Sequence, residues 1–259
     1  METIDYPTMT LEGKVALVTG SAQGLGKWIS LGLAHAGADV AVADLNKEGA
    51  DQTAKEIVEM GCKALAVKTD LTKIDSIKEM VQKTIGIFGR IDCLVNNAGI
   101  SGRKSVLDTT PEDFDLISNV NFRGVYFASQ IVAKEMIPRG GGKIINIASA
   151  AGFLIRSGVP LSIYAGTKGG VIMLTKAFAE ELAPYKIYVN AVAPGYFNTP
   201  GAQGRLKDPK VMNTILSFIP LKKVGEAIDI IGPVLFLASE ASNFMTGQTI
   251  FVDGGRTIL

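Results

Sequence analysis

Seven short runs of β-forming residues, separated by stretches mostly long enough for a helix, constrain this chain more than any other feature. The runs cover residues 15–19, 40–43, 64–68, 93–95, 143–147, 188–192 and 249–252 of 259. Strands spaced in this way read as parallel, because parallel neighbours need a crossover connection and are buried on both faces of the sheet. The expected fold class is α/β: a doubly wound parallel sheet of seven strands in three αβα layers. A hydrophobic share of 47% is ample for one large core, and no linker, repeat or low-complexity tract divides the chain. The expected organisation is therefore a loose tail over residues 1–10, with Glu2, Asp5 and Pro7, and a single domain over 11–259. Residues 195–220 are rich in Gly, Pro and Asn and then carry an apolar patch (Ile215, Leu216, Phe218, Ile219). A segment of that kind in a compact domain reads as a substrate lid.

Charge and cysteine content narrow the class of partner. Twenty-six basic residues against 25 acidic ones leave +1, so there is no strong field for nucleic acid or an anionic membrane surface. No apolar run reaches membrane-spanning length. Cys62 and Cys93 have no C-x-x-C spacing and read as small core residues in a reducing, cytoplasmic setting.

Directly after the first run comes Thr19-Gly20-Ser21-Ala22-Gln23-Gly24-Leu25-Gly26, followed by helical periodicity from about Lys27 and Trp28. Glycines let backbone approach a pyrophosphate, and a helix N-terminus offers N–H groups to it. The spacing departs from G-x-G-x-x-G, and a tight turn with no ligand is the bland alternative. Asp44 ends the second run about twenty residues on, where a carboxylate can accept from a ribose diol and repel a 2′-phosphate. With Gln23 neutral and no base after Asp44 until Lys47, the pattern favours NAD(H) over NADP. Asp70 and Leu71 at the third run's end, and Asn97, Ala98 and Gly99 after the fourth, fall where open α/β sheets bind ligands. Asp70 is placed to touch the adenine. Asn96 and Asn97 are equally suited to tying neighbouring strands together.

Tyr164 and Lys168 stand four apart in residues 162–182, which read as one long helix, and so share a face. A phenol is too weak a base at neutral pH, and a neighbouring ammonium favours its ionised form. Ser149 follows the buried-looking run 143–147 at its carboxyl end, where a hydroxyl can hold a substrate oxygen. Asn121, early in a helical run over 119–136, reads on its own as a capping or surface residue. His35, the single histidine, lies in the first helix and reads as structural, which excludes a Ser-His-Asp hydrolase.

Taken in order, TGSAQGLG, NNAG, the Asn of NVNF, Ser149, YAGTK and APGYFNT resemble the short-chain dehydrogenases/reductases over nearly the whole chain. The resemblance implies a Rossmann-type fold, a homotetramer, and C-terminal elements of the VDGG kind packed across a subunit interface. It implies that Tyr164 exchanges a proton with the substrate oxygen while hydride moves to or from the nicotinamide. Lys168 would bind the nicotinamide ribose and depress the tyrosine pKa, Ser149 would orient the reacting oxygen, and Asn121 would complete a water-linked proton relay. Pro194, Gly195, Phe197 and Thr199 would close on the cofactor, with Thr199 fixing the carboxamide. No metal is implied. Ser149 and Tyr164 are fifteen apart, two more than the family usually has, so the substrate loop is longer.

Within the family, GGKIINIAS, VNAVAPGYFNTP and FLASEASNFMTGQTIFVDGG look most like the gluconate 5-dehydrogenase and 2-deoxy-gluconate 3-dehydrogenase branch. The expected substrate is a secondary alcohol or ketone, on a sugar acid or polyol. Arg103, Arg156 and Arg205 fall in expected loops around the pocket, each able to pair with a carboxylate, though each also reads as an ordinary solvated arginine. The runner-up is a 3-oxoacyl-carrier-protein reductase or another hydroxyacyl or steroid dehydrogenase, with the apolar lid covering the chain or ring. A non-catalytic NAD-binding regulator is a reading from a different class, opposed by the intact Ser149, Tyr164 and Lys168.

Overall fold

The computed structural model describes residues 6–155 and 159–258. Strands β1 (Val15–Thr19), β2 (Asp39–Asp44), β3 (Ala64–Lys68), β4 (Cys93–Asn96), β5 (Gly142–Ile147), β6 (Ile187–Pro194) and β9 (Thr249–Val252) form one sheet in the order β3-β2-β1-β4-β5-β6-β9. Every pairing is parallel. All seven coincide with the expected runs to within two residues at either end. The helices are α1 (Gly24–His35), α2 (Lys47–Glu59), α3 (Ile74–Phe88), α4 (Pro111–Ser118), α5 (Gly124–Met136), α6 (Ser162–Leu182), α7 (Pro200–Leu206), α8 (Pro209–Ser217) and α9 (Ile231–Ala238).

Strand residues alternate between two cores, as the period of two requires. Leu17, Ala41 and Ile144 pack with α3, α5 and α6 through Met80, Val132 and Phe178. Val18, Val42 and Ile145 pack with α1, α2 and α9 through Leu33, Ile57 and Val234. Sheet order reverses beside β1, which lies between β2 and β4, and that is where an open α/β sheet forms a crevice at the strands' carboxyl ends.

The structure corrects several boundaries. Helix α1 starts at Gly24 rather than near Lys27. The helical run expected over 119–136 begins earlier, at Pro111, because Thr110 and Asp113 form a reciprocal capping box with proline in the first turn. That run continues through a π turn, Asn119–Arg123, into α5. Residues 195–220 are not irregular. They hold α7, α8 with Asp208 capping its first turn, and strand β7 (Phe197–Asn198), which pairs in parallel with β8 (Gly225–Glu226). Prolines here start helices instead of preventing them. Residues 6–10 are exposed and lie in no helix or strand. Cys93 is buried, Cys62 is half-buried, and both are free thiols. Among the described residues no helix is long and apolar enough to cross a membrane.

Candidate active site

At the carboxyl end of the sheet lies a cleft of about 620 Å³. Its first wall is the turn from β1 to α1. Gly20 and Gly24 adopt φ of +65° and +58°, values that disfavour any other residue. A Cβ on Gly26 would lie 2.1 Å from the Gly20 carbonyl oxygen and 2.3 Å from Asn97 Nδ2. Asn97 Nδ2 donates to the carbonyls of Thr19 (2.9 Å) and Gly20 (2.8 Å), while the Thr19 hydroxyl accepts from the N–H groups of Asn97 (3.1 Å) and Ala98 (3.2 Å). These bonds lock the glycine turn against the end of β4. The Gln23 side chain makes no cap bond, so the first turn of α1 keeps N–H groups for an anion.

Gly20, Gln23, Gly24, Leu25, Gly26, Asp44, Asp70, Leu71, Asn97, Ala98, Gly99, Pro194, Gly195, Phe197 and Thr199 all line the cleft, as the sequence predicts. Ser21 does not. It is fully buried, its hydroxyl donating to the carbonyls of Val18 (2.8 Å) and Ala43 (3.3 Å), so it closes the turn instead of facing a ligand. Asp44 accepts from the N–H groups of Ala22 and Asn46, 2.9 Å each. Asp70 accepts from the hydroxyl (2.6 Å) and N–H (3.0 Å) of Thr72, and that hydroxyl bond leads the effects holding its carboxyl below the usual range.

At the other end of the cleft, Ser149, two residues past β5, caps the short turn Ala150–Gly152, and Tyr164 and Lys168 stand one turn apart on α6. Ser149 faces the Tyr164 hydroxyl and favours its ionised form. Lys168 Nζ is buried, donates to the Ile147 carbonyl at 2.6 Å, and lies 5.9 Å from the centre of the Tyr164 ring. Burial pushes the Lys168 ammonium down to about 8. Burial also pushes the Tyr164 phenol up, with Ser149 acting the other way. The expected depression of Tyr164 by Lys168 is therefore not supplied by the protein alone, where desolvation dominates and the ammonium is engaged by a carbonyl.

Gly152 sets the spacing of this trio. Its Cβ would lie 2.6 Å from the Gly169 nitrogen and the Lys168 carbonyl carbon, so the turn after Ser149 rests directly on the backbone of α6.

Asn121 is neither a cap nor a surface residue. The π turn points its amide inward, where Oδ1 accepts from the Ile100 N–H (2.8 Å) and Nδ2 donates to the Ile100 carbonyl (2.8 Å) and the Thr167 hydroxyl (3.3 Å). An extra residue in a helical turn is a recurrent device at functional sites. Here it ties the segment after β4 to α6. A Cβ on Gly99 would meet both Lys168 Nζ (3.3 Å) and Asn121 Oδ1 (3.4 Å), so the two side chains converge on one point.

Of the three expected arginines, Arg103 lines the cleft. Arg156 lies outside the described residues, and Arg205 belongs to α7 rather than a loop, its side chain also outside the description. Ile215 and Ile219 are buried, and Ile215, Leu216 and Phe218 are not among the cleft-lining residues, so the apolar patch is not a lid lining. Sequence reasoning missed Arg256, which is buried in the cleft wall. Its signal was only that it follows two glycines near the end of the chain.

The family profile described as Enoyl-(Acyl carrier protein) reductase matches residues 20–257. The chain is 42% identical to 2-dehydro-3-deoxy-D-gluconate 5-dehydrogenase of Escherichia coli, over 95% of this chain and 96% of that one. It is also 42% identical to a 3-oxoacyl-(acyl-carrier-protein) reductase of Thermotoga maritima, over 96% of this chain and 100% of that one. Among solved structures, gluconate 5-dehydrogenase of Burkholderia cenocepacia in complex with NADP and tartrate superposes with a TM-score of 0.92 at 38% identity, covering 97% of this chain and 98% of that one.

Proposed function

The chain belongs to the short-chain dehydrogenase/reductase family, and from that premise we propose that it interconverts a secondary alcohol and a ketone on a sugar acid, using NAD(H). The observation that carries the reading is the Ser149, Tyr164 and Lys168 set at one end of a cleft whose other end is walled by glycines. The cleft suits a dinucleotide: a Cβ on Gly20 would come within 2.6 Å of Ala98 Cα and one on Gly195 within 2.8 Å of Asp253 Cα, so the segments behind the wall pack backbone against neighbour, whereas Gly24 at the start of α1 faces open space. A nicotinamide dinucleotide bound there supplies the hydride acceptor or donor.

The protein's own part is positional and protonic. Ser149 orients the reacting oxygen. Tyr164 takes its proton in oxidation and returns it in reduction. Lys168 holds the nicotinamide ribose, and Asn121, by fixing the Ile100 backbone, positions the route by which the proton leaves. Because burial holds the Tyr164 phenol above its ordinary value, the signs for the two directions differ. Oxidation needs the phenolate, so its kcat/KM should climb through the alkaline range; reduction needs the phenol and should stay level from neutral pH until that same range. Profiles measured in both directions check this, and an oxidation optimum at or below neutral would contradict it.

Asp44 supports NAD over NADP. Its carboxylate is fixed by two N–H donors beside the cleft, and Lys47, the nearest following base, is paired with Asp51. A 2′-phosphate near that carboxylate meets like-charge repulsion of about 4 kcal/mol at close range. Asp44→Ala should raise the NADP to NAD ratio of kcat/KM by about two orders of magnitude. A wild type that prefers NADP would refute the assignment.

Arg103 in the cleft wall, together with the sugar-acid relatives, favours an anionic substrate. The acyl-carrier-protein reading rests on relatives of equal identity, and the absence of Ile215, Leu216 and Phe218 from the cleft-lining set weakens it. The discriminating experiment is a spectrophotometric screen with NAD and NADP side by side over hexonates, polyols, secondary alcohols and acyl thioesters. Turnover of a hexonate establishes the reading, and turnover of thioesters alone replaces it. The working form we propose is the homotetramer that the family resemblance implies, and an apolar hollow lined by Val106, Pro111, Phe114, Phe122 and Ile163 on the α4 and α6 face offers a surface for a second copy. Light scattering at four times the chain mass is the expected result. The two free thiols agree with a reducing, cytoplasmic setting.

A further inference from the structure

We propose that Arg256 selects the anionic substrate, its guanidinium forming the part of the cleft wall that takes a substrate carboxylate. The inference deepens the sugar-acid reading and rests on it. Arg256 follows β9 through a turn in which Gly254 and Gly255 adopt φ of +65° and +86°. The Asp253 carboxylate accepts from the N–H groups of Gly255 (2.9 Å) and Thr257 (2.8 Å), so the turn is braced on both sides of the arginine. This geometry sends the Arg256 side chain back into the molecule, where it is 3% exposed yet lines the same cleft as Ser149 and Tyr164.

Its guanidinium lies over the ring of Tyr196, 5.3 Å from the centroid, and Nη2 reaches the Leu154 carbonyl at 3.5 Å. Tyr196 belongs to the turn between β6 and β7, and Leu154 to the segment after Ser149, so the cation is held between two segments that border the reacting end. A fixed, planar guanidinium suits a carboxylate because its two donors match the two oxygens and little rotamer freedom is lost on binding.

The charge pattern of the wall agrees. Its carboxylates, Asp44 and Asp70, sit at the ends of β2 and β3, on one side of the sheet. Lys168, Arg103 and Arg256 sit on the other side, around β4, β5, β6 and β9. An anion is thereby favoured where the reaction takes place, and in a buried setting that preference is strong. Guanidinium also stays charged across the working pH range, so the selection does not fade where Tyr164 titrates.

The test compares gluconate with sorbitol, a neutral hexitol of similar size, on wild type, Arg256→Gln and Arg256→Lys. Binding of each probe to the enzyme–NADH complex is followed by NADH fluorescence, alongside steady-state kinetics. Arg256→Gln should lower the gluconate to sorbitol ratio of kcat/KM by about 30-fold or more, through KM, with NADH affinity kept. Arg256→Lys should recover part of that loss, because a point charge replaces a two-pronged donor, and it carries the test if the glutamine variant does not fold. Equal losses on both probes would reduce Arg256 to a brace between Tyr196 and Leu154, and an unchanged gluconate KM would also overturn the proposal. A wild type that neither binds nor oxidises any hexonate defeats the sugar-acid reading itself, a result distinct from either.

Discussion

Tyr164→Phe retains its fold and its affinity for NADH while turnover falls by about three orders of magnitude or more. The substitution removes one oxygen and keeps the ring, so the packing of α6 against the sheet is unchanged. Ser149, which faces the hydroxyl, keeps the bond it accepts from the Ala151 N–H at 3.1 Å. Thermal unfolding should therefore shift by no more than about 1 kcal/mol. The two measurements separate the possible roles. A drop in turnover with NADH binding intact makes Tyr164 the acid and base; a matched loss of NADH binding makes it part of the cofactor cradle. Residual activity within tenfold of wild type would transfer the proton chemistry to another group and leave the site without an evident candidate.

Gly26→Ala is expected to cost both stability and cofactor affinity. The added carbon would sit 2.1 Å from the Gly20 carbonyl oxygen and 2.3 Å from Asn97 Nδ2, and those two atoms are bonded to each other at 2.8 Å. Neither can withdraw: Asn97 also holds the Thr19 carbonyl, and Gly20 occupies a left-handed conformation. Relief must come from moving the start of α1 away from β4, which opens the turn that cradles a pyrophosphate. A loss of at least about 1–3 kcal/mol in unfolding free energy is the scale for such overpacking. Dinucleotide binding should weaken in parallel by at least tenfold. Gly166→Ala is the control, since nothing lies within 4 Å of its Cβ and alanine is the better helix former. If Gly26→Ala binds dinucleotide like Gly166→Ala, the glycine turn is not the cofactor wall.

The sheet was legible because each strand is a short run of β-branched and small apolar residues that the parallel arrangement buries on both faces, as with Val15–Thr19. The cleft-lining set was legible because it gathers at strand ends, which order in the chain alone locates. Ser21 was misread because a small polar residue in a glycine turn can face a ligand or turn back to cap its own strand, and composition does not distinguish the two. The inward aim of Asn121 is not legible from the residue alone, because one extra residue in a helical turn leaves hydropathy periodicity almost unchanged while rotating an amide from surface to interior. Helices α7 and α8 were hidden by prolines that begin them. Arg256 left only the two preceding glycines as a signal, since its burial depends on their left-handed turn bringing residue 256 back over the cleft.

The contact of Gly152 with the backbone of Lys168 and Gly169 decides how freely this scaffold can be rebuilt. It fixes the serine against the tyrosine and lysine before the chain departs into the segment that ends at Ser162. Insertions beyond that anchor change the rim of the cleft and leave the proton-handling groups where they are. The two additional residues between Ser149 and Tyr164 are then a local extension that chemistry does not feel. A graft exchanging residues 153–161 for another length should alter which alcohols are accepted while preserving the rate at which the best of them reacts, and the substrate range of such an enzyme becomes a property of an interchangeable part.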